Sequence, residues 1–121
     1  MNVSGGISIH AFDVASGIPA TGLQVRLLRV DSGNTHMLAA GQCDHTGVFN
    51  HPSMQSQEII EGRYVVEFDV ADFFRVQAAS LPEPPFLDTV RFDFGVADRR
   101  QHYHLPFKFT AWGYSLFRGG L

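Results

Sequence analysis

The sequence has one cysteine, no excess of positive charge, and no long apolar run. A single Cys43 rules out an internal disulfide and fits a reducing, cytoplasmic compartment. With 9 Lys and Arg against 12 Asp and Glu, the net charge of −3 gives no electrostatic reason to expect a nucleic acid or an anionic membrane as partner. No apolar stretch approaches the roughly 20 residues that span a bilayer. The opening MNVSGGISIHAF carries neither the basic patch nor the apolar segment of a secretory leader. The closing Gly-Gly-Leu is not a Ser-Lys-Leu peroxisomal address. Low-complexity linkers, internal repeats and glycine-rich phosphate loops are also missing. Charged residues are sparse at 17%, but 45% of the chain is apolar, which predicts a folded globule. At 121 residues it is read as a single domain, 1–121.

What is present has mostly the two-residue period of strands. Ile7–Phe12 alternates and runs into a turn over Asp13–Pro19. Leu23–Val30 places Val25 and Leu27 on one face and Gln24 and Arg26 on the other, then ends at Asp31-Ser-Gly-Asn34. Further strands are predicted over His36–Gln42, Arg63–Asp69, Leu87–Phe94, Gln101–Phe109 and Trp112–Arg118, with a turn at Asp44-His-Thr-Gly47. One stretch departs from this. In Val70–Ala79, Phe73, Phe74 and Gln77 recur at helical spacing before Leu81-Pro-Glu-Pro-Pro85 stops the pattern, predicting one short helix. Short strands about ten residues apart, separated by turn signals, predict an all-β antiparallel sandwich.

Six histidines invite the question of which ones do chemistry. His102 and His104 share a strand face because the side-chain period is two. His10 lies inside the first strand on the face of Ser8 and Phe12. His36, His45 and His51 fall in turn-rich or polar surroundings and read as surface residues. The His10, His102 and His104 trio supports two chemistries that spacing does not separate. It could bind a catalytic zinc with one position left for water. Alternatively, one imidazole takes a proton from water while another serves the leaving group. Nucleophile candidates are thin: Cys43 has no histidine in an activating pattern, and Ser8 and Ser115 do not lie on a sharp glycine-flanked elbow. Water is the expected nucleophile.

His102-Tyr-His-Leu-Pro106, Trp112-Gly-Tyr-Ser115 and Phe117-Arg-Gly-Gly120 closely resemble the C-terminal signature of the transthyretin-like 5-hydroxyisourate hydrolases: His-Tyr-His-Val-Pro, Tyr-Gly-Tyr-Ser and Tyr-Arg-Gly-Ser. Ile9-His10, Asp13 and Gly17-Ile-Pro-Ala20 match the family's first strand and turn. Gly62-Arg-Tyr64, Phe68 and Asp72-Phe-Phe74 match its middle, so the resemblance covers the whole chain. It implies a sandwich of two four-stranded sheets with one short helix, assembled as a homotetramer with active sites at an interface that buries the chain end. It also implies a metal-independent reaction with no cofactor. Water adds to a cyclic amide of 5-hydroxyisourate, giving 2-oxo-4-hydroxy-4-carboxy-5-ureidoimidazoline on the way from urate to allantoin. His10 and His104 match the catalytic histidines, and His102 matches the first histidine of the motif.

Three positions depart from the family pattern. The family turn Asp-x-x-Gly-Arg supplies a site arginine, whose place Val48 takes here. The terminal tyrosine becomes Phe117, before Arg118, and the serine becomes Gly120, with Leu121 beyond. A guanidinium, a phenol and a hydroxyl are lost together while the three histidines stay. Val48, Phe117 and Gly120 leave a more apolar pocket, suited to an N-methylated 5-hydroxyisourate derived from a methylxanthine such as caffeine; the resemblance adds His102 and Arg118 to the substrate-binding positions, although Arg118 could equally anchor the chain end through a carboxylate. The rival class is a non-catalytic, transthyretin-like carrier of a small ligand. The retained histidines count against it.

Overall fold

The computed structural model describes residues 5–77 and 79–120. The helix prediction at Ala78 and any role for Leu121 therefore lie outside the described residues. The two sheets follow from alternation. In β1 (Ile7–Asp13), Ile7, Ile9 and Ala11 are buried while Ser8, His10 and Phe12 face outward. In β8 (Tyr103–Phe109), Tyr103, Leu105, Phe107 and Phe109 point into the core.

One sheet runs β4 (Asn34–Gln42), β3 (Gln24–Asp31), β6 (Gly62–Asp69), β7 (Thr89–Val96), all antiparallel. The other runs β2 (Ile18–Pro19), β1, β8, β9 (Tyr114–Leu116), with β5 (Val48–Phe49) also paired to β1. The two short strands β2 and β5 share one edge of β1: Phe12 and Asp13 pair with β2, Ile9 and His10 with β5. The sheet is thus four positions wide although it holds five strands. Its one departure from antiparallel order is the β1–β8 pair. These strands run parallel in a continuous register from Ile7–Tyr103 to Asp13–Phe109.

Between the sheets, Phe68 and Phe107 stack with centroids 3.9 Å apart, joining the layers at the centre of the core. Truncating either ring to alanine would cost about 3–5 kcal/mol. The single helix, α1 (Val70–Val76), closes one end of the sandwich. Its Phe73 and Phe74 meet Phe109 edge-on at 5.4 and 5.7 Å. α1 stops at Val76, short of the predicted Ala79, because Phe73 and Phe74 are the last residues with a core to cover and Val76 is 87% exposed. Phe92 and Phe94 are only partly buried, on edge strand β7. On the outer face of the β4–β3–β6–β7 sheet, Arg26 bonds Glu67 at 2.8 Å and grips Asp69 with both terminal nitrogens, tying β3 to β6.

Candidate active site

The candidate site lies on the outward face of the β1–β8 sheet, where register puts distant residues side by side. Cross-strand partners point the same way, so the pairings define rows. In one row, Val48 of β5 stands opposite His10, and His10 opposite Pro106. Continuing the β8–β9 register through the His104–Gly119 bridge puts Phe117 opposite Pro106. In the next row, Ser8 stands opposite His104, and His104 opposite Gly119. His10 and His104 are therefore diagonal neighbours on one face. Strands spaced about 4.8 Å apart, with a rise of about 3.3 Å per residue, put their Cα atoms roughly 8 Å apart. That separation lets both imidazoles reach opposite edges of one small planar ring.

Each histidine is held by specific contacts. His10 Nε2 donates to the carbonyl of Thr46 at 2.8 Å. That carbonyl is presented by a tight loop in which Asp44 Oδ1 accepts from the Thr46 amide (2.8 Å), the Thr46 hydroxyl (2.6 Å) and the Val48 amide (3.1 Å). These bonds, the Thr46 hydroxyl first, hold the Asp44 carboxyl below the usual carboxylate range. Gly47 completes the loop at φ +81°, where any side chain would run into the Ala11 carbonyl and the His10 ring. The sequence marks this Asp-x-x-Gly as a turn, but does not show that it backs His10.

The other two histidines converge on Ser8. Ser8 Oγ lies 2.7 Å from His102 Nε2 and 2.6 Å from His104 Nδ1. His102 Nδ1 in turn donates to the Gly5 carbonyl at 2.7 Å. The signal was available, since Ser8 alternates onto the same face as His10. Burial, then the charges of His102 and His10, push His104 below the ordinary histidine value, so it is neutral at neutral pH. Cys43 has no place in this chemistry. It is buried, and burial, reinforced by Asp44, pushes its thiol up to about 12.

Phe117 lies on the histidine face and Gly120, at φ +65°, just past Gly119. Arg118 turns the other way: its guanidinium sits 3.9 Å over the Tyr103 ring and donates to Gln101 Oε1 and the His102 carbonyl. Alternation explains this, because Arg118 faces Leu105 on the inner side. Of the remaining histidines, His36 and His45 are exposed. His51 is half-buried, and its Nδ1 accepts from the Ser53 amide at the start of the short 3-10 turn Pro52–Met54. Trp112 and Tyr114 are 60% and 47% exposed, so neither belongs to the core. Among the described residues, no three His, Cys, Asp or Glu side chains are grouped as a metal-binding set, and no helix is long and apolar enough to cross a membrane.

The model of the HIUase/Transthyretin family matches residues 7–119. The chain belongs to this family. The 5-hydroxyisourate hydrolase 2 of Rhizobium meliloti is 35% identical over 98% of this chain and 99% of its own length. The solved 5-hydroxyisourate hydrolase of Klebsiella pneumoniae superposes with a TM-score of 0.79 at 25% identity, over 96% of this chain and 99% of that one. An (S)-allantoin synthase superposes with a TM-score of 0.88 at 24% identity, over 98% of this chain but 45% of that one, a likeness of fold alone. The sandwich with its single helix is thus the family's fold, as the C-terminal motif led us to expect.

Proposed function

We propose that the chain is a hydrolase that opens the six-membered ring of a 5-hydroxyisourate-type compound in purine breakdown, and that its preferred substrates carry N-methyl groups. The names of its relatives supply the reaction class. The observation that carries the reading is the pair of cross-strand rows, which surrounds His10 and His104 with Val48, Pro106 and Phe117.

In the proposed reaction, neutral His104 takes a proton from water as the water oxygen attacks the ring carbonyl, giving a tetrahedral intermediate. The carbon–nitrogen bond then breaks, and His10 relays a proton from solvent to the departing ring nitrogen. One water is consumed: its hydroxyl ends in the new carboxyl group and a proton ends on nitrogen, with both imidazoles reset through solvent. No metal or cofactor takes part.

The methyl preference follows from position 48. An arginine opposite His10 would offer forked donors to an unmethylated, acceptor-rich edge. Facing an N-methyl group, it would be desolvated without a partner, at about 1–3 kcal/mol or more. Valine removes that penalty, and each methyl group it covers contributes about 0.8 kcal/mol. Phe117 and Gly120 extend the same surface where the family has a phenol and a hydroxyl. Because the histidine face is outward, a second copy packed on it would enclose the ring. Exposed Ile18, Trp112, Tyr114 and Phe117 favour the homotetramer that the family resemblance implies, here placed in the cytoplasm.

The test is kinetic: 5-hydroxyisourate and its N-methyl analogues are generated in situ by oxidation, and ring opening is followed by ultraviolet absorbance. Higher kcat/KM on a methylated ring is expected. Preference for the unmethylated ring would remove the methyl proposal, and no acceleration of either would leave the carrier reading.

A further inference from the structure

We infer that Ser8 is a positioning residue: by bonding His102 and His104 together, its hydroxyl fixes His104 in the tautomer whose Nε2 is bare and able to take a proton. The catalytic consequence rests on the hydrolase reading. The tautomer itself is a property of the resting protein.

The direction of the chain of hydrogen bonds is set at one end by a group that cannot reverse. A backbone carbonyl only accepts, so the 2.7 Å contact with Gly5 O puts a proton on His102 Nδ1. In neutral His102 the other nitrogen, Nε2, is then a lone pair, and the Ser8 hydroxyl donates to it at 2.7 Å. That hydroxyl has one proton, so its oxygen must accept the 2.6 Å bond from His104, whose proton therefore sits on Nδ1. His104 Nε2 is left unprotonated. When Nε2 takes a proton, the Nδ1–H bond to Ser8 becomes charge-assisted and strengthens, favouring the imidazolium at the moment it forms.

The same chain makes His102 a selector. A second proton on His102 turns Nε2 into a donor, reverses the Ser8 hydroxyl and makes His104 Nδ1 an acceptor. Neutral His104 would then carry its proton on Nε2 and could not act as base. The other titratable group facing this chain is His10 on β1, with Asp44 and His45 on the loop behind it. Lys108 lies further along the outer face of β8, and Arg118 is turned onto Tyr103. Both ring nitrogens of His102 are engaged in this chain, so its proposed contribution is to set the proton on His104 and not to donate to substrate.

The experiment combines ring-nitrogen NMR with kinetics. In 15N-labelled wild-type protein above the His104 titration, His104 is expected as the Nδ1–H tautomer. In Ser8→Ala it should revert to Nε2–H, with kcat lowered at least about tenfold out of the roughly 10²–10⁴ that a positioned base supplies, and KM little changed. Ser8→Thr, which keeps the hydroxyl and suits a strand, should restore both the tautomer and most of kcat. An Nε2–H tautomer in the wild type, or an unchanged tautomer in Ser8→Ala, overturns the inference. Should Ser8→Ala fail to fold, the wild-type spectrum alone decides. The Nδ1–H tautomer with no ring opening in any variant would sink the hydrolase reading and leave the role of Ser8 standing.

Discussion

Replacing Val48 with arginine tests the specificity argument at its source. Val48 pairs with His10 and shares its face, so the new guanidinium would project beside the imidazole proposed to serve the leaving nitrogen. Hydrogen bonds to a charged group contribute about 1.5–3 kcal/mol, which an unmethylated ring edge can collect. A methylated ring gains none of this and leaves the guanidinium unpaired, at about 1–3 kcal/mol. Position 48 is only half-buried in the chain, so the low ends of both ranges apply. Together they move the selectivity by about 2.5 kcal/mol, or roughly 70-fold, toward the unmethylated substrate. The assay is competition: both rings, generated together, are followed by chromatography as they are consumed. If Val48→Arg slows both substrates equally, position 48 does not read the methyl group and the reasoning fails. Val48→Leu separates charge from bulk, because it should keep the methyl preference.

Gly47→Ala should damage both stability and activity. A left-handed backbone costs a non-glycine residue about 1–2 kcal/mol, and the added Cβ would collide with the Ala11 carbonyl. Thermal denaturation should show Tm lower by at least about 4 °C, and an unchanged Tm would mean that the loop yields freely. The folded value of His104 is depressed, so its neutral imidazole and its share of stability are complete above the unfolded value of about 6.5 and are lost as pH falls through the folded value. In His10→Gln, one repulsive charge disappears while burial remains. NMR titration should then find His104 moved part of the way back up, and a further fall would contradict the assigned cause.

Much of this could be read from the chain because alternation is a local property. The period of two put His102 with His104 and His10 with Ser8. Apolar residues at every second position gave each main strand its inner face. The helix was visible in the break from that period, although its end was set by where Phe109 and the core run out. What alternation cannot give is register between strands. That Ser8 meets His104, that Val48 faces His10 and that Arg118 points inward all depend on pairings between residues far apart in sequence. The two-residue strands β2 and β5 were hidden for a related reason. They have almost no pattern of their own and take extended form only by pairing with β1.

The parallel pairing of β1 with β8 also bears on when this protein can first work. Ser8 and His10 leave the ribosome more than ninety residues before His104 does. Until β8 arrives, β1 has no lasting neighbour on that edge, and the early histidine has nothing to cooperate with. Contacts this distant close slowly, in milliseconds to seconds for sandwiches of such topology. Catalytic competence should therefore wait for that pairing, with no partly active form before it.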